Sequence, residues 1–136
     1  MSFVLDSSAA LAMLLPDEQS AALDEIADSL VRAPAQVPAI WPLEVRNALL
    51  AALRARRITP REYAERIALV EELPIEVDCG AGNDILARTM EIARGHDLSA
   101  YDASYLELAK RLELPLATLD HRLRKAGSSL KVGLLP

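Results

Sequence analysis

The sequence predicts a single α/β domain in three layers, α/β/α, around a short, mainly parallel central sheet of about four or five strands. The first observation behind this is an alternation: short apolar, partly β-branched runs end in polar turns and are followed by longer stretches with helical periodicity. The second is length, since 136 residues suit one core and need neither disulfides nor a structural metal to hold it. The third is composition, with 51% hydrophobic, 26% charged and only 4% aromatic residues, so Leu, Ile, Val and Ala must fill the interior.

Phe3-Val4-Leu5 reads as the first strand, ending at Asp6-Ser7-Ser8, and Ala9 to Leu15 as a helix running to Pro16. A surface helix is expected from Asp17 or Glu18 to about Leu30, with Ala22, Ile26 and Leu30 at helical spacing. Gln36 to Ile40 is a strand whose Pro38 cannot donate to a ladder, which suits an edge position. Pro42 fits a first helical turn, and Leu43 to about Arg57 makes a very apolar helix. Thr59-Pro60 with Glu62 has capping-box spacing and opens a helix running to Leu73.

Pro74 to Val77 is a short strand, Gly80 and Gly82 a turn, and Asn83 the cap of a helix reaching Arg94, where Gly95 stops it and His96 falls in the turn. Ser99 caps a helix from Ala100 to Leu112. Pro115 to Leu119 is a further strand, Asp120 to Ala126 a brief helix closed by Gly127, and Leu130 to Leu134 a last strand.

The net charge of −5 argues against a surface that coats nucleic acid indiscriminately, while leaving room for a local basic patch. The single cysteine, Cys79, excludes an intrachain disulfide and fits a reducing cytoplasm. The N-terminus, with no basic region and an acid at Asp6, does not read as a signal peptide, and no apolar stretch approaches a membrane span.

In a parallel sheet, ligands gather beyond the carboxyl ends of the strands, so acids placed there carry the functional question. Asp6 and Asp120 each follow a strand and share one sheet edge; each also reads as a helix N-cap. Glu44 lies one turn into the apolar helix, where it either serves a site or complements the helix dipole. Asp102 has Leu106 and Ala109 at i+4 and i+7, which sets it on or beside a buried stripe, and Ser99 to Asp102 also matches a capping box. Carboxylates gathered in one pocket raise one another's pKa values unless a cation sits among them. Hard oxygen ligands without a Cys or His cluster favour Mg²⁺ or Mn²⁺ over zinc.

Four segments in this order, Val4-Leu5-Asp6-Ser7-Ser8, Glu44-Val45-Arg46-Asn47-Ala48-Leu49, Leu98-Ser99-Ala100-Tyr101-Asp102-Ala103-Ser104-Tyr105-Leu106 and Ala117-Thr118-Leu119-Asp120, resemble the motifs of PIN-domain ribonucleases. The resemblance is to the toxin component of VapBC-type toxin–antitoxin pairs and covers residues 1 to 136 as one domain. It implies a metal pocket of Asp6, Glu44 and Asp102, with Asp120 as the fourth acid and Ser8, Asn47 and Thr118 in support. It further implies Mg²⁺, or Mn²⁺ in its place, hydrolysing RNA phosphodiester bonds, with Asp6 and Asp102 holding the ion. A homodimer and a VapB-like antitoxin whose C-terminal segment blocks the pocket are the partners it implies.

His121 beside Asp120 reads as a ligand or, more simply, as a solvent-facing helix residue. Arg54, Arg56 and Arg57, with Arg61 and Arg66, form a basic segment that either contacts RNA or merely ends a helix favourably. Two rival functions stand beside the nuclease. A Mg²⁺-binding phosphoacceptor domain has similar size and sheet, but its paired acids and late lysine have no counterpart here. A catalytically silent partner-binding module would keep the fold without the cleavage.

Overall fold

The computed structural model describes residues 1–15, 20–80 and 82–136. Five strands, β1 (Phe3–Leu5), β2 (Ala35–Pro38), β3 (Ile75–Asp78), β4 (Leu116–Ala117) and β5 (Leu134–Leu135), form an all-parallel sheet in the order β3-β2-β1-β4-β5. Seven helices connect them: α1 (Ser7–Leu14), α2 (Ala21–Arg32), α3 (Trp41–Arg54), α4 (Pro60–Glu72), α5 (Asn83–His96), α6 (Ala100–Leu112) and α7 (His121–Ser129).

The strand order reverses direction at β1. Crossovers through α1 to α4 carry the chain outward from β1 to β3, and those through α5 to α7 carry it back across to β5. Right-handed connections therefore place the two helical groups on opposite faces, and α6 packs along β1, β2 and β4. The switch point falls between β1 and β4, where an open parallel sheet leaves a crevice at its carboxyl edge. The core there is aliphatic: Val4, Leu5, Leu49, Leu106 and Leu116 are fully buried.

Burial of charge shapes one flank. Glu107 of α6 is only 4% exposed, and Arg111 neutralises it while also clasping Asp78 at the end of β3, at 3.0 and 3.2 Å. Arg88 of α5 lies 3.6 Å from the same glutamate, so the network ties both helices to the sheet edge.

The structure corrects several expected boundaries. The Pro38 strand is internal, and the edge belongs to β3. Pro38 is tolerated there because β1 pairs with β2 only at Ala35 and Gln36, leaving the end of β2 free on that side. The apolar helix stops at Arg54 rather than Arg57, because Arg56 adopts a left-handed conformation at φ 58°. Gly82, not Asn83, occupies the cap position of α5. That helix passes through Gly95 and includes His96; its stop is Asp97, left-handed at φ 53°.

Gly127 sits inside α7 rather than closing it, and its value is closeness: a Cβ there would meet Leu134 Cδ2 at 3.0 Å. The last strand is confined to Leu134–Leu135 because Lys131 turns the chain at φ 60°. The first helix starts earlier than expected, at Ser7. Its expected stop at Pro16, the expected start of the next helix at Asp17 or Glu18, and Ala81 within the Gly80–Gly82 turn lie outside the described residues. As described, α2 begins at Ala21, capped by the Ser20 hydroxyl.

Candidate active site

Asp6 leaves β1 at the switch point, and its backbone N–H binds the Ala117 carbonyl of neighbouring β4 at 3.1 Å. It occupies the N-cap position of α1 but makes no side-chain cap bond, so the capping explanation for this acid fails. Its Oδ2 instead accepts the Thr118 hydroxyl at 2.7 Å and the Ser8 hydroxyl. The carboxylate is 3% exposed, and burial pushes its pKa above the ordinary value, partly countered by those donors and reinforced by the Asp102 charge.

Glu44 reaches the same region from the first turn of α3, a helix whose start is fixed by Pro42 and by the Glu44 N–H bonding the Ile40 carbonyl at 2.9 Å. The side chain is half-buried and accepts the Tyr105 hydroxyl on Oε1 at 2.5 Å. Burial raises its pKa, and the charges of Asp6 and Asp102 raise it further. Asp102 stands half-buried in the first turn of α6, where Ser99 Oγ accepts its N–H at 3.0 Å. The return bond from the carboxylate, which Glu62 makes in the complete capping box of α4, is missing at α6 among the described residues. Asp6, Glu44 and Asp102 are thus brought near enough to repel one another.

Asp120 is placed differently. Its Oδ1 accepts the N–H groups of Arg122 and Leu123, so it does cap α7. Its own N–H donates to Thr118 Oγ1 at 3.0 Å, which links it to Asp6 through the threonine. Asn47 is exposed on α3, one turn beyond Glu44, and His121 is exposed at the start of α7. Arg54, Arg56 and Arg57 are exposed at the far end of α3, with residue 54 about 15 Å from residue 44 along the helix axis, so the structure does not bring them to the acids.

One participant escapes a reading of sequence alone: the Tyr105 hydroxyl, which donates to Glu44 Oε1 at 2.5 Å. The available signal for Tyr105 is position: it lies three residues after Asp102 on the buried face of α6, where a phenol needs a partner.

The donors suit a hard divalent cation. They are oxygens only, and no Lys, Arg or His forms an ion pair with Asp6, Glu44 or Asp102 among the described residues. Also among the described residues, no three acidic, histidine or cysteine side chains close around a common point. Mg²⁺ keeps several waters and is held by as few as one or two carboxylates, so it needs no closed cage of three protein ligands. A cavity of about 560 Å³ between α5 and α6, lined in part by Arg88, Ile92, His96 and Arg111, does not include these acids, so chemistry rather than concavity marks the site.

A family model described as PIN domain matches residues 3–128. No curated protein matches the chain. Among solved structures, FitAcB from Neisseria gonorrhoeae superposes with a TM-score of 0.70 at 20% identity, over 100% of this chain and 97% of that one. VapC20 from Mycobacterium tuberculosis, a Sarcin-Ricin loop cleaving toxin, gives 0.65 at 17% identity over 93% and 95%. A toxin–antitoxin complex from Klebsiella pneumoniae gives 0.62 at 18% identity over 98% and 96%. At these identities the likeness to solved structures is one of fold.

Proposed function

The chain belongs to the PIN domain family, and from that we propose that it is a divalent-metal-dependent endoribonuclease, the toxin of a VapBC-type pair. The observation that carries the reading is a group of buried and half-buried carboxylates, from the end of β1, from α3 and from α6, none of which makes a salt bridge among the described residues. Such a group is costly unless something outside the chain neutralises it. The names of two similar structures, a Sarcin-Ricin loop cleaving toxin and a toxin–antitoxin complex, support RNA as substrate and an antitoxin as partner.

Asp6 and Asp102 would hold the ion, Mg²⁺ or Mn²⁺, with Glu44 and Asp120 completing its surroundings. When bound, the cation supplies Lewis-acid charge, neutralising the attacked phosphate and making water a better nucleophile. The chain's own part is orientation. Thr118 and Ser8 fix one oxygen of Asp6, Tyr105 fixes one oxygen of Glu44, and Ser99 sets the first turn that presents Asp102. Residues 1 to 136 would act as one nuclease domain, as a homodimer in the cytoplasm, with the exposed arginines beyond α3 meeting the RNA backbone. No helix is long and apolar enough to cross a membrane among the described residues.

The test is cleavage of total RNA by purified, antitoxin-free protein in Mg²⁺ or Mn²⁺, beside an EDTA sample and Asp102→Asn. Discrete fragments that vanish in both controls support the reading. Intact RNA from folded, metal-binding protein counts against it and favours a silent binding module.

A further inference from the structure

Tyr105 is the largest polar side chain committed to the acid group, and packing alone does not explain it. Its ring is fully buried in the aliphatic core beside Leu106 and Leu108, a place that Phe would fill as well. The hydroxyl is the difference, and it makes a 2.5 Å bond to Glu44 Oε1 across sixty-one residues of sequence. The same helix turn carries Asp102, so α6 delivers one acid and, one turn later, the donor that fixes another. One hydrogen bond thereby joins the start of α3 to the first half of α6.

We propose that Tyr105 is a positioning residue for Glu44, holding its carboxylate in one rotamer beside the acids that would hold a divalent cation. The proposal rests on the metal-dependent reading above. It extends that reading to a residue which neither touches substrate nor carries charge. A glutamate side chain has three rotatable bonds, and a donor built into a rigid core removes the freedom that would otherwise be lost on metal binding.

The experiment compares wild type, Tyr105→Phe, Glu44→Gln and the double variant by Mn²⁺ binding without RNA, followed by electron paramagnetic resonance of the free ion. Thermal melts and RNA cleavage rates accompany each protein. Tyr105→Phe is expected to melt cooperatively and to bind Mn²⁺ about tenfold more weakly. Its kcat should fall while KM for RNA stays within about twofold, because the RNA-binding surface is untouched. In the Glu44→Gln background the same change should have little further effect on Mn²⁺ affinity, since its target is gone.

Unchanged Mn²⁺ affinity in a folded Tyr105→Phe protein overturns the proposal, as does additivity with Glu44→Gln. A Phe variant that does not fold also overturns it, because the hydroxyl would then be a requirement of the core. If Tyr105→Phe weakens Mn²⁺ binding but even wild type cleaves no RNA, the nuclease reading falls and the positioning role stands. If wild type binds no Mn²⁺ at all, both fall.

Discussion

Thr118 donates its hydroxyl to Asp6 Oδ2 at 2.7 Å while its Oγ1 accepts the Asp120 N–H at 3.0 Å, so one residue at the end of β4 bridges two acids. Thr118 is fully buried, so a group left without its hydroxyl there loses a partner away from solvent. Thr118→Val keeps the shape and strips both bonds, and should cost about 1–3 kcal/mol of stability and 10- to 100-fold in cleavage rate. Thr118→Ser should keep most of both. Melting curves and RNA cleavage rates check this, and a Val variant with wild-type activity would sink it.

The raised pKa of Asp6 has a stability consequence of definite sign. Burial makes the folded state hold the Asp6 proton more tightly than the unfolded state, whose ordinary value is 3.8. The stability contributed by the protonated form is therefore full below about that pH and is lost as pH rises through the folded value. Glu44 acts in the same direction. Without metal, Asp6→Asn should melt higher than wild type at pH 7, by about 3–5 °C for each kcal/mol relieved, with the gap closing toward pH 4. Calorimetry in EDTA from pH 4 to 8 reads it directly. Added Mg²⁺ should raise the melting temperature of wild type and not of the variant.

Asp78 has the opposite sign. Arg111 holds its pKa below the ordinary range, so the ion pair stabilises at neutral pH and weakens as pH falls through the lowered value. Arg111→Met removes this pair and also leaves Glu107 buried with only the more distant Arg88 for company. A loss of about 3 kcal/mol at pH 7 is expected by denaturant unfolding. Cleavage rate at temperatures where the variant is folded should be unchanged, since the network lies away from the acids. A stable variant would show that Arg88 alone suffices.

Replacing Arg54, Arg56 and Arg57 together should weaken binding to single-stranded RNA. If all contact phosphates, the log–log salt slope should fall by about 2. Because they stand about 15 Å along α3 from Glu44, short oligonucleotides spanning only the cleavage point should bind equally well to both proteins. Identical affinity and salt slope on long RNA would remove these arginines from the interface.

Much of this was legible in the sequence because it depends on short-range rules. Thr59, Pro60 and Glu62 form the capping box that their spacing demands, and Ser99 caps α6 as expected. Strand ends put Asp6 at the carboxyl edge of the sheet, while its grouping with Glu44 and Asp102 came from the resemblance to PIN-domain ribonucleases. What was not legible depends on distant partners. The Asp6 side chain could have capped α1, but no cap bond forms, and its Oδ2 is held instead by Thr118, 112 residues away. Pro38 suggested an edge, yet the tolerance comes from where β1 stops. Gly127 read as a helix stop, whereas Leu134 needs the space its missing side chain leaves. Tyr105 drew no role of its own from the sequence, because its ring is core and only its hydroxyl belongs to the site.

β1 lies at the centre of the sheet, hydrogen-bonded to β2 on one side and to β4 on the other. Asp6 is therefore made before its partner and meets Thr118 only after 112 further residues have been made. At translation rates of roughly 5–20 residues per second, that interval is on the order of ten seconds. Throughout it the nascent chain carries the first acid without the strand that fixes it. The order of the strands thus acts as a built-in delay between the making of the first acid and its fixing by the neighbouring strand.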